Sequence, residues 1–388
     1  MNSLNYDPRF PDVDLLRHRA RRRIPRFAFE YLDGGCNEEV NLRKNTEELR
    51  RVELRPYYLR EYAGVDLRTE LFGHTYDAPF GIAPIGLQGM MWPRASEILA
   101  KAAFEANIPY ILSTVATADI ETIAQITEGQ AWFQLYHPTD DALRDDLLDR
   151  CYRSGIRTLV ILCDVPTFGY RSREIINGLS MPPRLNLRNL LQIMGRPEWA
   201  VRTLLAGPPM FKTMQKYLPD DVRSLKHLGE FMNRTFTGRL SETKIATLRD
   251  RWPGNLVMKG VATLEDAETC IRYGLDGLIV SNHGGRQLDA GESTIRPLTR
   301  IAGQCDDRIT VMMDSGIRSG PDIARTLASG AQFAFLGRAF MYGVAALGER
   351  GGDHTVAILK RQLQQVMEQV CCARPADLPR HLSRHTPQ

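Results

Sequence analysis

The sequence lacks several features, and each absence excludes a class of protein. Across 388 residues no apolar run approaches the roughly 20 residues that a membrane-spanning helix needs. The first residues contain no apolar signal core, so we expect a protein that is not secreted. A net charge of +4 is too small to indicate nucleic-acid binding by itself. We therefore expect a cytoplasmic protein that binds no nucleic acid.

Cysteine is sparse and shows no metal-binding spacing. The seven cysteines include no CxxC motif and are odd in number, which argues against a disulfide framework and against a zinc site. They are more typical of reduced, buried thiols in the cytoplasm. We expect no metal ion in the functional site.

An alternation of strand-like and helix-like segments begins at residue 78. Eight apolar runs have strand length: Phe80–Pro84, Tyr110–Ser113, Ala131–Leu135, Thr158–Cys163, Leu256–Lys259, Leu278–Ser281, Ile309–Met313 and Phe333–Leu336. Helix-period segments between them include Arg94–Ala106, Ile120–Glu128, Asp141–Ser154, Glu242–Arg251, Leu264–Tyr273 and Pro321–Ser329. This α/β alternation predicts a (β/α)8 TIM barrel. A doubly wound open sheet is the alternative, but no GxGxxG spacing follows the first strand.

The remaining segments extend one domain that spans residues 1–388. Residues 1–77 are predicted to be an N-terminal helical extension, with helices over Asp12–Arg23 and Arg26–Leu32, the second capped by Asp33-Gly34-Gly35. Residues 78–174 and 241–345 supply the barrel. Residues 346–388 form a C-terminal helix and tail, and residues 175–240 are a long insertion after the fourth strand.

The insertion is both basic and apolar. Between residues 184 and 226 it has eight Lys or Arg residues against three acidic ones, with apolar side chains interleaved. Such a segment can lie on an anionic membrane surface, which predicts a peripheral contact with the inner face of the cell membrane. It can equally form a lid over an active site or an oligomer contact.

A histidine and an arginine stand three residues apart directly after the sixth strand, in the stretch Ser281-Asn282-His283-Gly284-Gly285-Arg286-Gln287-Leu288-Asp289. His283 can move a proton near neutral pH, and the planar guanidinium of Arg286 suits a carboxylate. The two glycines allow a ligand to approach the backbone closely. The pattern suggests an acidic small molecule that loses a proton, and a solvated surface turn is the alternative.

Polar or glycine residues follow the carboxyl end of every predicted strand. They are Gly86, Ser113, Gln134 with Tyr136, Asp164, Lys259, His283, Asp314 and Gly337-Arg338. In a barrel these ends converge on the mouth where active sites lie. The segment Asp314–Gly320 and the pair Gly337-Arg338 place glycine amides and arginines after the last two strands, where barrels commonly hold phosphate. The sequence therefore predicts a phosphorylated cofactor, with a helix cap and a surface arginine as the alternative.

From about residue 24 to 370 the chain resembles the FMN-dependent family that oxidises 2-hydroxy acids, which includes glycolate oxidase, L-lactate dehydrogenase and bacterial (S)-mandelate dehydrogenase. The motif Ser281–Asp289 carries this resemblance, supported by Trp132–Tyr136, Val257–Gly260, Met313–Gly316 and Leu336–Arg338. The resemblance implies FMN as the cofactor and oxidation of a small (S)-2-hydroxy acid, lactate- or mandelate-like, to the 2-oxo acid. It also implies a quinone-type acceptor or O2, and a homo-oligomer, namely a tetramer.

The resemblance also implies roles for matching residues. The catalytic set is His283 as the base, Asp164 as its orienting partner, Arg286 and Tyr136. The substrate-binding set is Tyr31, Tyr136, Arg171, His283 and Arg286. The cofactor-binding set is Pro84, Ile85, Gly86, Ser113, Gln134, Lys259, Ser281, Asp314, Ser315, Gly316, Arg318, Gly337 and Arg338.

A few positions near the flavin depart from the family's pattern. Ile85 and Leu162 stand where the family often has threonine, so each loses a polar contact near FMN. Gly86 stands where oxidases often have alanine and enzymes like mandelate dehydrogenase have glycine, which favours a dehydrogenase. Val115 and Phe168 are expected to border the substrate's side chain, and valine is smaller than the tryptophan of glycolate oxidase.

Three other functions are also compatible with the sequence. One is an oxidase that reduces O2 to H2O2. Another is a barrel aldolase without a redox cofactor, in which Lys259 forms a Schiff base. The third is a catalytically silent flavin-binding protein on an enzyme scaffold.

Overall fold

Eight parallel strands close into a barrel in the computed structural model, which describes residues 6–179, 187–218, 235–236 and 239–383. Two strands precede the barrel and form a separate hairpin, β1 Thr69–Leu71 and β2 His74–Tyr76. The barrel strands are, in chain order, β3 Phe80–Ile82, β4 Ile111–Ser113, β5 Trp132–Leu135, β6 Thr158–Leu162, β7 Asn255–Val261, β8 Gly277–Val280, β9 Thr310–Met313 and β10 Phe333–Leu336. The sheet order is β3-β10-β9-β8-β7-β6-β5-β4, and a parallel bridge between Ile82 and Tyr110 joins its two ends. The prediction of a (β/α)8 barrel is confirmed.

Helices flank the barrel, and each predicted helix is present to within two residues at either end. The barrel helices are Gln88–Met91, Ala95–Glu105, Ile120–Ile126, Asp141–Arg153, Glu242–Arg251, Leu264–Arg272, Ile295–Cys305, Gly320–Ala328 and Arg338–Leu347, followed by Gly351–Val370 and the 3-10 turns Gly348–Arg350 and Pro375–His381. Several helices of the chain are preceded by a residue whose side chain accepts a hydrogen bond from a backbone N–H of the first turn. These N-cap residues are Asp12, Asp119, Asp140, Ser241, Thr263 and Ser319.

Inward-facing side chains of alternate strand positions fill the barrel. They are Ile111, Trp132, Val160, Val257, Ile279, Met312, Phe333 and Phe335, together with Ala83 beyond β3 and Leu71 and Tyr76 from the first hairpin. The outward-facing residues join the larger core beneath the helices. Because both faces of each strand are buried, the strands appear in the sequence as continuous apolar runs.

The N-terminal extension contains the helices Val13–Arg23, Arg26–Asp33 and Val40–Leu49, and it also contains the antiparallel hairpin β1–β2. The hairpin differs from the purely helical prediction. Its turn residue Phe72 packs 5.6 Å from the ring of Trp132, inside the barrel core. The hairpin therefore covers the end of the barrel opposite the strands' carboxyl ends. The helix Arg26–Asp33 ends where predicted, but Gly34 has φ −75° and is not a left-handed cap.

The helix Ser172–Ile176 leads into the insertion, whose described part forms the helices Leu187–Met194, Pro197–Ala206 and Lys212–Gln215. Residues 180–186, 219–234 and 237–238 of the predicted insertion lie outside the described residues. The insertion packs against the extension, since Gln192 Oε1 accepts from Phe27 N at 3.0 Å. Trp199 Nε1 donates to the carbonyl of Met91 at 3.1 Å and anchors the next helix. Among the described helices, none is both long and apolar enough to cross a membrane.

Candidate active site

The carboxyl ends of the strands surround a cavity of about 490 Å³. Most residues predicted for the site line it directly: Tyr31, Pro84, Ile85, Gly86, Tyr136, Arg171, Lys259, His283, Arg286, Asp314, Ser315, Arg318, Gly337 and Arg338. The others, Ser113, Gln134, Asp164, Ser281 and Gly316, lie directly behind the lining residues or beside them in the chain. The structure thus brings together residues from the extension, from the loop after β6 and from the carboxyl ends of all eight barrel strands.

His283 and Asp164 form the pair expected of an oriented base. Nδ1 of His283 lies 3.3 Å from both carboxylate oxygens of Asp164, which leaves Nε2 free to face the cavity. Burial lowers the pKa of His283 below its usual 6.5, although Asp164 opposes the shift. Burial would raise the pKa of Asp164, but the charge of His283, the hydrogen bond with it and the charge of Lys259 together outweigh burial and lower the pKa of this carboxyl. Near neutral pH the pair is therefore a neutral imidazole beside a carboxylate.

The backbone around His283 is tightly constrained. His283 itself has φ +58° and Gly285 has φ +72°, in the left-handed region that favours glycine. A Cβ on Gly285 would lie 2.5 Å from the backbone nitrogen of Leu42. The extension thus packs directly on the loop that carries the base, and only glycine fits at this contact.

Arg286 is partly buried, and its guanidinium N–H groups donate to three acceptors. Its Nη1 donates to the carbonyls of Tyr31 at 2.7 Å and Gly34 at 2.9 Å, and its Nη2 donates to Glu174 Oε1 at 2.6 Å. Burial lowers the pKa of Arg286, and the neighbouring charge of Arg171 acts in the same direction. Two like charges side by side favour an anion between them.

Arg171 also lines the cavity and contacts the same carboxylate as Arg286. Its Nη2 donates to Gln287 Oε1 at 3.2 Å, and its Nη1 lies 3.5 Å from Glu174 Oε1. Glu174 was not among the residues predicted from the sequence. Its spacing of three residues from Arg171, at the start of a helix, was the only available signal. The two arginines predicted to bind a carboxylate therefore share a carboxylate of the chain itself.

Two partly buried tyrosines line the cavity beside these arginines. The guanidinium carbon of Arg286 lies 4.9 Å from the centre of the Tyr31 ring, in a cation–π contact. Tyr136 stacks edge to face on Phe236 with ring centres 5.9 Å apart. Burial raises the pKa of both phenols, so each keeps its proton and can donate a hydrogen bond to a bound molecule.

Lys259 is buried at the carboxyl end of β7 in a polar cluster. Its Nζ lies 3.0 Å from Asp314 Oδ2 and donates to Ser281 Oγ at 2.8 Å. Burial alone would lower the pKa of Lys259, but Asp314 and Asp164 raise it above its usual value. A Schiff-base lysine needs the opposite shift, because only the neutral amine attacks a carbonyl. This geometry argues against the aldolase hypothesis.

Two partly buried arginines follow the last two strands. Arg318 donates to the carbonyl of Ile317, while Arg338 donates to the carbonyls of Leu32, Gly34 and Gly284 at 2.8 to 3.0 Å. Within the described residues neither forms an ion pair. Burial lowers the pKa of both, that of Arg338 to about 9, with the charge of Arg318 adding to the effect. A bound phosphate would relieve this repulsion.

Comparison with known proteins identifies the family. Residues 20–385 match the family model described as FMN-dependent dehydrogenase. The chain belongs to the FMN-dependent dehydrogenase family. An L-lactate dehydrogenase of Bartonella tribocorum is 38% identical over 352 residues, covering 90% of this chain and 91% of the relative. The resemblance seen in the sequence is therefore confirmed, and so are FMN as the cofactor and oxidoreductase as the enzyme class.

Solved structures of mandelate-oxidising enzymes share the fold. The monotopic membrane protein (S)-mandelate dehydrogenase aligns with a TM-score of 0.92 at 32% identity, covering 97% of this chain and 100% of that one. A mandelate oxidase aligns with a TM-score of 0.81 at 27% identity, covering 96% and 98%. Dehydrogenase and oxidase thus share this architecture, and the fold alone does not distinguish them.

The cavity of this FMN-dependent dehydrogenase has unpaired groups that suit FMN. Gln134 accepts from Ser113 Oγ at 2.9 Å, while its buried Nε2 has no partner among the described residues. An amide nitrogen buried without a partner is costly, and a flavin carbonyl would satisfy it. The amino end of the helix Arg338–Leu347, with Arg318 beside it, suits the phosphate. These residues therefore fit the cofactor.

Ile85 and Gly86, two of the positions that depart from the family pattern, lie at the cavity. Ile85, Val115 and Phe168 line it, so the last two do border the space expected for the substrate. Leu162 is buried at the end of β6. A Cβ on Gly86 would lie 2.9 Å from Val115 Cγ2 and 3.8 Å from the Tyr31 hydroxyl. Gly86 therefore keeps this part of the cavity open.

A cluster of three asparagines was also missed in the sequence. Asn282 Nδ2 donates to Asn41 Oδ1 at 2.6 Å and to Asn45 Oδ1 at 2.7 Å. Asn45 Nδ2 in turn donates to Asn282 Oδ1 at 2.8 Å. The cluster fixes the residue before His283 to the extension. The only signal in the sequence was a pair of asparagines four residues apart on one helix face.

Proposed function

We propose that this enzyme oxidises an (S)-2-hydroxy acid, lactate- or mandelate-like, to the corresponding 2-oxo acid. One observation carries the proposal: an oriented neutral histidine and two arginines line the same cavity. Oxidation of a 2-hydroxy acid requires a base that takes a proton and groups that bind the carboxylate, and this cavity contains both. Lactate and mandelate are the substrates in the names of the relatives, and both are 2-hydroxy acids.

Substrate binding relies on charge and on the tyrosines. The substrate carboxylate binds between Arg171 and Arg286, where a planar guanidinium can donate two parallel hydrogen bonds. Tyr31 and Tyr136 keep their protons and hydrogen-bond the carboxylate or the hydroxyl. Together these contacts orient the α-carbon, because a carboxylate held at two points can present only one face to the cofactor.

His283 then accepts one proton of the substrate at Nε2. Asp164 holds Nδ1 and stabilises the imidazolium as it forms, which is the role of the carboxylate in other acid–base pairs. Bound FMN would supply the acceptor for the two electrons and the second hydrogen of the substrate, and a quinone-type compound would reoxidise the enzyme. Lys259 provides a buried positive charge next to the negative charge that develops during oxidation. An oxidase that uses O2 is the alternative, and Gly86 favours the dehydrogenase.

The insertion provides the contact with a membrane. Leu187, Leu190, Leu191 and Met194 follow the spacing of one helix face, and 52 to 72% of each is exposed. On the next helix, Leu204 and Leu205 are 82 and 83% exposed. Basic residues accompany these faces, so anionic lipid would attract the same surface. Peripheral attachment at the inner face of the membrane would bring the enzyme close to a membrane quinone. A homotetramer remains part of this proposal, with light scattering as its test.

The decisive experiment is an anaerobic visible spectrum of the purified protein before and after addition of L-lactate, and then of S-mandelate. We expect flavin absorbance that bleaches with one of the two acids. Readmission of air separates the alternatives, since an oxidase regains its colour quickly and a dehydrogenase slowly. A flavin that neither acid bleaches would refute the proposed reaction and favour a catalytically silent flavin protein.

A further inference from the structure

Glu174 occupies the place where the substrate carboxylate is expected. Its Oε1 accepts from Arg286 Nη2 at 2.6 Å and lies 3.5 Å from Arg171 Nη1. The side chain lines the catalytic cavity and is only 11% exposed. One oxygen of the chain thus contacts both members of the predicted carboxylate clamp.

Neither arginine needs Glu174 to keep its orientation. Nη1 of Arg286 is held by the carbonyls of Tyr31 and Gly34, at 2.7 and 2.9 Å. Arg171 donates to the side-chain oxygen of Gln287 at 3.2 Å. These acceptors are neutral, whereas Glu174 is the only carboxylate among the described residues that pairs with either arginine. Glu174 therefore adds a negative charge next to the two arginines and is not needed to orient them.

Other residues keep Glu174 in this place. It lies in the helix Ser172–Ile176, whose Arg173 pairs with Asp33 at 3.2 Å and also with Glu39. Asn177, directly after this helix, donates to Glu30. The helix is thus fixed to the N-terminal extension on one side, while Glu174 points into the cavity on the other.

We propose that Glu174 is an internal competitor of the substrate carboxylate and sets the affinity of the enzyme for anions. The inference rests on the proposed function, because it takes Arg171 and Arg286 as the substrate clamp. An incoming carboxylate needs the same N–H groups that Glu174 occupies, so it must displace Glu174 or share a guanidinium with it. Either event weakens binding of the substrate and equally of the product, and weak product binding helps a 2-oxo acid to leave.

The test compares oxalate binding to the FMN-containing wild type and to Glu174→Gln by titration calorimetry. Glutamine has the same shape without the charge, so we expect oxalate to bind about tenfold more tightly or better, as loss of one charged hydrogen bond predicts. Lactamide, which has no charge, should bind the two proteins equally. Glu39→Gln is the matched control, because it weakens an ion pair of the same helix outside the cavity, and it should leave the affinity for oxalate unchanged.

Two results would overturn the proposal: oxalate binding to Glu174→Gln that is unchanged, or binding that is weaker. Weaker binding would mean that Glu174 supports the arginines. If Glu174→Gln does not fold, Glu174→Asp serves instead, since its shorter side chain withdraws the charge and should tighten binding by a smaller factor. Failure of the proposed function is distinguishable, because the wild type would then bind no oxalate and neither hydroxy acid would bleach its flavin.

Discussion

The imidazole of His283 and the carboxylate of Asp164 face each other at 3.3 Å across two loops that are 119 residues apart in sequence. The loop after β6 supplies the carboxylate of Asp164, and the loop after β8 supplies the base, His283. The fold thus fixes the tautomer of the base, with Nδ1 towards Asp164 and Nε2 towards the cavity.

Replacing His283 by glutamine should remove the base and leave the cofactor site intact. We expect the variant to bind FMN normally and to reduce it about 10²- to 10⁴-fold more slowly, the range typical of general base catalysis. Anaerobic stopped-flow spectroscopy measures the rate, and the flavin-to-protein absorbance ratio measures occupancy. Near-normal reduction would exclude His283 from the reaction.

Replacing Asp164 by asparagine should shift the pH dependence of flavin reduction. Only neutral His283 accepts a proton, so the wild-type rate should rise with pH through a midpoint below 6.5, since burial lowers this pKa. Without the carboxylate the imidazolium is less stable, and the midpoint should move lower still. The plateau should fall about 10- to 100-fold, because hydrogen bonds to charged groups contribute roughly 1.5–3 kcal/mol. A midpoint that moves upwards would contradict the assigned electrostatics.

Replacing Lys259 by methionine should destabilise the protein by leaving Asp314 buried without its counter-charge. We expect the free energy of unfolding to fall by about 3–5 kcal/mol, the usual effect of breaking a buried pair. The double variant Lys259→Met with Asp314→Asn removes both charges and should be less destabilised than the sum of the single changes. Urea denaturation at equal FMN saturation gives the three values. Additive losses would show that the two residues do not interact.

Replacing Gly86 by alanine should narrow the cavity, because the new methyl group would lie 2.9 Å from Val115 Cγ2. We expect KM for S-mandelate to rise about tenfold, since overpacking costs roughly 1–3 kcal/mol, and KM for L-lactate to change little. Adding Val115→Ala should restore mandelate turnover. Equal effects on the two substrates would mean that Gly86 does not border the larger side chain.

Replacing Leu204 and Leu205 by serine should release the protein from membranes. Burial of a leucine side chain contributes about 1.5–3 kcal/mol, so loss of two should weaken binding by at least 100-fold. Co-sedimentation with vesicles that contain anionic lipid measures this. Leu59→Ser is the matched control, because Leu59 is fully exposed outside the insertion. Equal sedimentation of all three proteins would leave the insertion as a lid or an oligomer contact.

The barrel and the residues at its mouth could be predicted from the sequence alone. Because parallel strands are buried on both faces, β6 and β8 appear as apolar runs, and the polar residues after them necessarily lie at one end of the sheet. His283, Asp164 and Lys259 could be predicted for this reason. Arg286 was identified through its spacing from His283 in a single turn.

How these residues pair with one another depends on the three-dimensional fold. No local pattern indicates that Asn41 and Asn45 hold Asn282, or that Glu174 lies against Arg286, because these contacts join segments more than 100 residues apart. The hairpin β1–β2 was missed for a related reason, since its short strands are stabilised by packing of Phe72 on the barrel core. Periodicity records which residues are buried, whereas the partner of a buried charge depends on how distant loops meet in space.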